Sequence, residues 1–257
     1  VDNFSALFDF ISDSLETIIE AFTGALLWLP PVAFIAAICV LVFVLHRSIP
    51  LVIYSIVSLL LIWNLGYWME TMQTLSLVLY ATLFCIIIGL PLGIYAAHHS
   101  WLYTILRPIL DLMQTVPTFV YLIPTLTLFG LGVVPGLIST IIFAIAAPIR
   151  LTYLGISEVP HELVEAGESF GANKWQILLR IELPAAASNI AAGVTQCIML
   201  SLSMVVIAAL VGADGLGKPV VRALNTVDIA SGFEAGLAIV LLAILLDRLF
   251  KQRTGAQ

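Results

Sequence analysis

Long apolar segments without charged residues constrain this chain more than any other feature. Residues 31–45 and 75–90 contain no charged side chain, and a helix crosses a bilayer with about 20 mostly apolar residues. Only 10% of all residues are charged, against about 25% in soluble domains. Lipid offers the backbone no hydrogen bonds, so such a chain forms helices or a closed barrel. Barrel strands alternate in polarity, and these segments do not, which predicts an all-α polytopic membrane protein.

The apolar segments divide into about seven predicted transmembrane helices. They cover residues 29–45, 50–66, 73–97, 108–129, 134–154, 185–211 and 233–250. Ahead of them, residues 4–27 repeat apolar side chains at a helical period, with acids on the other side. This pattern predicts an amphipathic helix at the membrane surface, although a frayed soluble tail remains the alternative.

The distribution of basic residues predicts the orientation of the chain. Under the seven-span arrangement, eight of them fall on one side: Arg47, Arg107, Arg150, Lys174, Arg180, Arg248, Lys251 and Arg253. Only Lys218 and Arg222 fall on the other side. Cytoplasmic loops carry an excess of Lys and Arg, so the N-terminus is expected outside and the C-terminus in the cytoplasm. The expected location is the inner membrane of a bacterial cell, which the chain would cross several times.

Several kinds of chemistry have no residues to support them. The chain has no GxxxxGK[ST] segment that would hold nucleotide phosphates and no basic stripe for nucleic acid. Its three cysteines lack the spacing of a metal or disulfide framework. We therefore expect no enzyme activity, no metal and no cofactor in this chain, and any ATP and Mg would be bound by a partner.

The predicted loop 157–184 between the fifth and sixth spans contains the clearest local pattern. Leu163, Ala166 and Phe170 follow Val159 at helical spacing and share one apolar face. A short amphipathic helix of this kind docks in a groove of another protein or lies on the membrane surface, and the pattern alone does not distinguish the two.

Cap and turn residues predict two short helices within this loop. Ser157 and Pro160 suit the start of the first helix, and Gly171 suits its end. A second helix is expected over 174–182, ending before Pro184 because proline interrupts a helix.

The loop resembles the EAA motif of ABC-importer permeases. Six motif positions match: Glu165, Ala166, Gly171, Ile181, Leu183 and Pro184. The third has Gly167 in place of alanine, which keeps the volume small. The resemblance implies an ABC type I importer permease fold with a cytoplasmic coupling helix seated on the ATPase subunit. The residues assigned to this contact are Leu163, Glu165, Ala166, Gly167, Phe170, Gly171, Ile181, Leu183 and Pro184.

Residues 107–144, 200–221 and 243–249 resemble the glycine betaine/proline and choline permease subfamily. The resemblance covers about 71–250 as a type-1 transmembrane domain, with 1–70 as a variable N-terminal part and 251–257 as a cytoplasmic tail. It implies ATP-driven import of a compatible solute or quaternary amine such as glycine betaine, choline or proline. The implied partners are cytoplasmic ABC ATPase subunits, an extracytoplasmic substrate-binding protein, membrane lipid and a second permease copy in a homodimer.

Polar and aromatic residues inside the spans are candidates for the translocation path. Polar groups in a membrane cost free energy and are often functional, and aromatic faces suit a quaternary ammonium group. The candidates are Gln114, Thr118, Phe119, Tyr121, Gln196 and Ser203. Contacts between helices or with lipid are the alternative for each. Pro117 and Pro124 are predicted to break the fourth span, and a broken helix lines a cavity.

Two other functions remain open at this point. An importer permease for another solute, such as an amino acid, would contain the same loop. A stand-alone secondary transporter would show inverted repeats and acids within the membrane, and neither is evident in the spans. The outer loop 212–232 is either a docking surface for a binding protein or a packing element.

Overall fold

A computed structural model describes residues 5–251, which are almost entirely helical. In chain order the helices are α1 (Ser5–Trp28), α2 (Pro31–His46), α3 (Ile49–Asn64), α4 (Trp68–His98), α5 (Ser100–Thr115), α6 (Thr118–Phe129), α7 (Val133–Ala144), α8 (Ala146–Ser157), α9 (His161–Ser169), α10 (Lys174–Ile177), α11 (Leu183–Ala209), α12 (Gly217–Thr226) and α13 (Ile229–Phe250). A π-helical turn, Leu178–Glu182, joins α10 to α11.

The helices agree with a polytopic membrane protein of about seven spans. Four segments are long and apolar enough to cross a membrane: Trp68–His98, Val133–Ser157, Lys174–Ala209 and Ile229–Phe250. Two bent pairs, α1 with α2 and α5 with α6, bring the number to six. The shorter apolar helix Ile49–Asn64 supplies a seventh segment.

Hydrogen bonds between distant parts of the chain show which helix ends lie together. His46 Nε2, at the end of α2, donates to the carbonyl oxygen of Lys251 after α13, at 3.2 Å. His98, at the end of α4, bonds to Glu182 in the π turn. The helices α2, α3 and α4 follow one another through short turns and alternate in direction, so these four residues share one end of the bundle. We call it the hairpin end, after the hairpin formed by α9 and α10 that extends from it.

The centre of the bundle is formed by α4, α8 and α11, which pack closely through small residues. A Cβ on Gly93 of α4 would lie 2.7 Å from Thr152 Cβ and 2.8 Å from the carbonyl oxygen of Ile149, both on α8. A Cβ on Gly155 would lie 2.8 Å from Asn189 Cβ of α11. Small residues let helix backbones approach closely in membranes, so these glycines fix the positions of α4 and α11 against α8.

Replacing Gly93 by alanine should therefore destabilise the bundle. The new methyl group would overlap the α8 backbone, and overpacking costs about 1–3 kcal/mol. The melting temperature of the purified chain in detergent measures the effect. Gly236 of α13 has no atom within 4 Å of an added Cβ, so G236A is the control. Equal melting temperatures for the two variants would contradict this packing.

Helix α1 has the amphipathic character expected from 4–27, of which residue 4 lies outside the described residues. Its acids form an exposed stripe: Asp9, Asp13, Glu16 and Glu20. Next to this stripe Ile19 is buried with Ala81 of α4, and Thr23 donates to Ser76 Oγ at 2.8 Å. The axis turns by 95° into α2. Its placement at a membrane surface remains a prediction.

The predicted fourth span is bent by 96° between α5 and α6. Val116 has ψ of 130° and Pro117 ψ of 134°, since the residue before a proline avoids the helical region. The prediction that Pro117 breaks the span is confirmed. The same prediction for Pro124 is wrong, because Pro124 lies inside α6, which continues to Phe129.

Candidate functional site

The segment 161–177, α9 and α10 with the turn between them, extends from the hairpin end; we call it the α9–α10 hairpin. Its large apolar side chains lie largely in solvent. Phe170 is 92% exposed, Trp175 72% and Leu163 49%. Ala166 is exposed as well. Exposed apolar surface of this kind is typical of interaction sites. Three of the four residues of the predicted apolar face are exposed, whereas Val159 lies before the start of α9 and is half-buried.

A second face of α9, next to the apolar one, packs onto the chain itself. Val164 and Gly167 are its least exposed residues. A Cβ on Gly167 would lie 2.5 Å from Ile181 Cδ1 in the π turn. The small residue at this motif position therefore allows α9 to sit against Ile181, in addition to any role in contact with another protein.

The turn of the hairpin is defined by two capping motifs. Gly171 has φ of +79°, and the Ala172 N–H donates to the Gly167 carbonyl oxygen at 3.0 Å, a Schellman arrangement. Asn173 and Gln176 then form a reciprocal capping box, with bonds of 2.8 and 2.9 Å. The prediction that Gly171 ends the first helix is confirmed, and the angle between α9 and α10 is fixed by hydrogen bonds.

Gly171 should tolerate no side chain without loss of stability. Left-handed backbone costs a residue with a Cβ about 1–2 kcal/mol, so G171A should lower the melting temperature and increase proteolysis of the hairpin. Gly24, inside α1, has no atom within 4 Å of an added Cβ, and G24A should be neutral or stabilising. A hairpin as resistant to protease in G171A as in the parent would contradict this prediction.

The start of the first helix differs from the prediction. Ser157 belongs to the end of α8, and α9 begins only at His161, after Pro160. Glu158 donates its N–H to the Leu154 carbonyl oxygen, so the α8 helix extends through Ser157. Ser157 therefore does not cap α9.

The predicted end of the second helix at Pro184 is wrong. The chain continues as one helix of 36 residues, Lys174–Ala209, in which Pro184 occupies the first turn of α11. Proline has no N–H for the carbonyl group four residues earlier, and its ring clashes with that group. The π turn relieves this conflict: the Leu183 N–H reaches back five residues to Leu178. Single π turns are frequent at functional sites.

A buried ion pair that the sequence analysis missed anchors this π turn to the bundle. Glu182 is 8% exposed, and its carboxylate oxygens lie 3.0 and 3.1 Å from His98 Nε2. His98 Nδ1 lies 2.9 Å from the Ile94 carbonyl oxygen. Both ring nitrogens lie within hydrogen-bonding distance of acceptors, so the orientation of the ring is fixed between α4 and the π turn. The pair links the base of the hairpin to α4.

The remaining motif residues follow this division between surface and packing. Glu165 is exposed and its Oε1 lies 3.0 Å from His161 Nδ1. Ile181 and Leu183 are half-buried, and Pro184 is exposed. Trp175 and Leu179, which the sequence analysis did not select, extend the exposed apolar surface; a tryptophan beside a helix cap was the available signal.

The predicted path residues lie on α5, α6 and α11. Gln114, Phe119, Gln196 and Ser203 are exposed, and Thr118 is half-buried. Gln196 and Ser203 share one face of α11 with other exposed small or flexible side chains: Ala185, Ser188, Ala192 and Met199. Such a face borders lipid, a second chain or a water-filled path.

Tyr121 has a structural role that accounts for its position. Its hydroxyl donates to the Met113 carbonyl oxygen at 2.7 Å. The bond joins α6 to α5 across the bend at Pro117. Its assignment to the path remains a prediction.

The predicted outer loop 212–232 is folded against the start of α4. The Leu216 N–H donates to Thr74 Oγ1 at 2.8 Å, and α12 packs on α13. Asp228 caps α13, and the hydrogen bond from the Ser231 hydroxyl lowers the pKa of the Asp228 carboxyl. Beside α12 lies a cavity of about 400 Å³ that includes Arg222 in its lining. The loop therefore packs against α4 and α13 and also carries exposed charges, and its role as a docking surface remains a prediction.

Comparison with known proteins identifies the family of this chain. Residues 89–252 match the family described as the binding-protein-dependent transport system inner membrane component. The chain belongs to this family. It is the transmembrane permease subunit of an ABC importer, a multi-pass inner-membrane protein that is not itself catalytic. Permeases of this family work with ATPase subunits and a binding protein.

Relatives resemble the permease over nearly its whole length. The glycine betaine/carnitine transport permease protein GbuB of Listeria monocytogenes is 46% identical over 249 residues, 96% of this chain and 88% of its own. The glycine betaine/proline betaine permease ProW of Escherichia coli is 46% identical, covering 97% and 70%. The glycine betaine permease OpuAB of Bacillus subtilis is 44% identical, covering 96% and 87%.

A solved structure shows the same fold. The inward-facing MetNI methionine ABC transporter matches with a TM-score of 0.62 and 21% identity, over 68% of this chain and 88% of that one. The all-α fold of an ABC type I importer permease is therefore confirmed.

Proposed function

We propose that the α9–α10 hairpin is the coupling element of this permease and that its exposed face seats in the ATPase subunit. The observation that supports this most is the exposure of Leu163, Ala166 and Phe170 on a hairpin that packs on the π turn through Gly167 and is closed by two capping motifs. An apolar helix face presented to a groove is a common recognition mode. ATP and Mg would be bound by the ATPase, since the chain has no phosphate-binding loop.

The continuous connection from the α9–α10 hairpin through the π turn into α11 supports transmission of movement from the ATPase to the membrane spans. The hairpin packs chiefly against the π turn, which is continuous with α11 and held to α4 by Glu182 and His98. Closure of the ATPase subunits would displace α9, and the helix Lys174–Ala209 would carry that displacement into the spans. Rigid helices moving as bodies are one of the established forms of such transitions.

The solute we propose is a compatible solute of the quaternary amine class, such as glycine betaine, choline or proline. The support is the similarity to permeases named for glycine betaine, carnitine and proline betaine transport. Two copies of the permease would form a homodimer with the path on their shared axis. The exposed α11 face, including Gln196 and Ser203, and the bend between α5 and α6, with Gln114, Thr118 and Phe119, would border this path.

The proposed orientation places the hairpin end in the cytoplasm. The π turn, the α9–α10 hairpin and the C-terminal end of α13 share this end with Arg47, Lys174, Arg180, Arg248 and Lys251, which agrees with the excess of basic residues on cytoplasmic sides. The start of α4 and the segment 212–232 would then face outward, where the binding protein would dock near Lys218 and Arg222.

ATP-dependent uptake into vesicles tests this proposal. The full permease is reconstituted with its ATPase and binding protein, and uptake of labelled glycine betaine and choline is measured. Uptake requiring ATP supports the solute class; its absence with the parent chain contradicts it. E165K should abolish uptake by placing a cation on the coupling helix. E168K makes the same charge change on the same helix outside the assigned residues, and equal uptake in the two variants would contradict the coupling assignment.

A further inference from the structure

A cavity of about 580 Å³ lies at the hairpin end, between the turn from α2 to α3 and the end of α13. None of the residues assigned to the coupling contact or to the path lines it. The side chains that line it include His46, Ser48, Tyr54, Ile244, Arg248 and Lys251.

The charge of this cavity is positive. Arg248 and Lys251 are exposed, and neither forms an ion pair with any acid between residues 5 and 251. Asp247 precedes Arg248 on α13 but does not line the cavity. Two cations without acidic partners, beside one cavity, favour an anionic ligand.

The beginning of α3 adds hydrogen-bond donors to the same wall. Ser48 stands at the N-cap, yet its hydroxyl makes no capping bond to the backbone. Pro50 has no N–H, but the N–H groups of Ile49 and Leu51 in the first turn of α3 have no partner within the helix, and a helix N-terminus attracts negative groups. The uncapped hydroxyl and the first turn therefore complement the two cations.

The walls of the cavity are held in place by bonds between helices. The bond from His46 to the Lys251 carbonyl oxygen joins α2 to the end of α13. The Tyr54 hydroxyl donates to the Leu241 carbonyl oxygen at 3.1 Å and joins α3 to α13. Hydrogen bonds therefore hold the walls from α2 and α3 to α13.

The surface next to the cavity is apolar and faces outward from the bundle. Ile49 and Ile53 of α3 and Ile244 of α13 are exposed, and Ile244 also lines the cavity. A soluble anion would gain nothing from these side chains. A phospholipid would place its phosphate on the cations and its acyl chains along α3 and α13.

We propose that this cavity binds the phosphate headgroup of an anionic phospholipid. Basic pockets between transmembrane helices recognise such headgroups, through cations near the membrane surface. The phosphate would lie between Arg248 and Lys251, close to Ser48, and the bound lipid would fill the space between α3 and α13.

Native mass spectrometry of the purified full chain tests this directly. The chain is titrated in neutral detergent with phosphatidylglycerol and, separately, with phosphatidylcholine. We expect stronger retention of phosphatidylglycerol. Removing both cations, R248Q with K251Q, should weaken it about 30-fold, or about fivefold for each cation. Exchanging them while keeping the charge, R248K with K251R, should retain binding.

The control removes two cations at the same end of the bundle, K174Q with R180Q, outside the cavity. An equal loss of phosphatidylglycerol binding in this control would show that the lipid is held by non-specific charge attraction, which would overturn the proposed site. If the parent chain retains phosphatidylglycerol and phosphatidylcholine equally, the proposed site is also overturned. Displacement of phosphatidylglycerol by inorganic phosphate in large molar excess would identify a site for small anions and overturn the lipid assignment.

Discussion

Replacing Phe170 by aspartate should abolish ATP-driven uptake while leaving the stability of the permease unchanged. Phe170 is 92% exposed, so it contributes almost nothing to the packing of the isolated chain. In the proposed complex it would enter an apolar groove of the ATPase, and a buried unpaired carboxylate there costs several kcal/mol. Uptake into vesicles and the melting temperature of the purified chain are the two measurements.

Ser169 provides the matched control for this variant. It precedes Phe170, is exposed and is not assigned to the contact, so S169D adds the same charge beside the proposed groove. We expect S169D to retain most of its uptake. G167L, by contrast, should lower the melting temperature, because Gly167 packs on Ile181. Full uptake in F170D would remove Phe170 from the interface.

Breaking the ion pair between His98 and Glu182 should destabilise the base of the hairpin. H98A leaves the carboxylate of Glu182, 8% exposed, without its partner, and such a buried charged group costs about 1–3 kcal/mol or more. A loss of 1 kcal/mol lowers the melting temperature of a chain this size by about 2–4 °C. E182A leaves only the more exposed histidine unpaired and should cost less.

Two further variants show whether the pair itself is responsible. E182Q in the H98A background removes the buried charge and should recover part of the lost stability. H99A changes the neighbouring histidine, whose Nδ1 lies 3.0 Å from the carbonyl oxygen of Tyr95 and does not reach Glu182, and should have a smaller effect. If the decreases in melting temperature caused by H98A and by E182A add fully in the double variant, the two residues act independently.

Local patterns in the sequence predicted the features that depend on neighbouring residues. The spacing of Leu163, Ala166 and Phe170 predicted that these side chains share one side of α9, because helical periodicity is a local property. Val159, predicted on the same face, lies before the helix begins. Gly171 predicted the end of α9 because a left-handed residue there favours glycine. The apolar runs predicted the spans for the same reason.

Features that depend on distant contacts were not predictable in this way. His98 and Glu182 lie 84 residues apart, and only the packing of α4 against α11 brings them together. Gly167 is small at a motif position, but the sequence does not show which surface approaches it.

Proline was the least informative signal. Pro117 breaks a helix, whereas Pro124 and Pro184 lie within helices, since the outcome depends on whether neighbouring turns can satisfy the freed carbonyl group. At Pro184 a π turn does so. No property of the proline residues themselves distinguishes the three cases.

The unbroken helix from Lys174 to Ala209 makes the hairpin one arm of a lever. At about 1.5 Å per residue its 36 residues extend about 54 Å. A tilt of only 5° would therefore move the far end by about 5 Å, comparable with one turn of helix. A small change in the angle of this helix at the ATPase would thus produce a large displacement at the opposite side of the membrane. A flexible joint at Pro184 would have absorbed the change of angle instead.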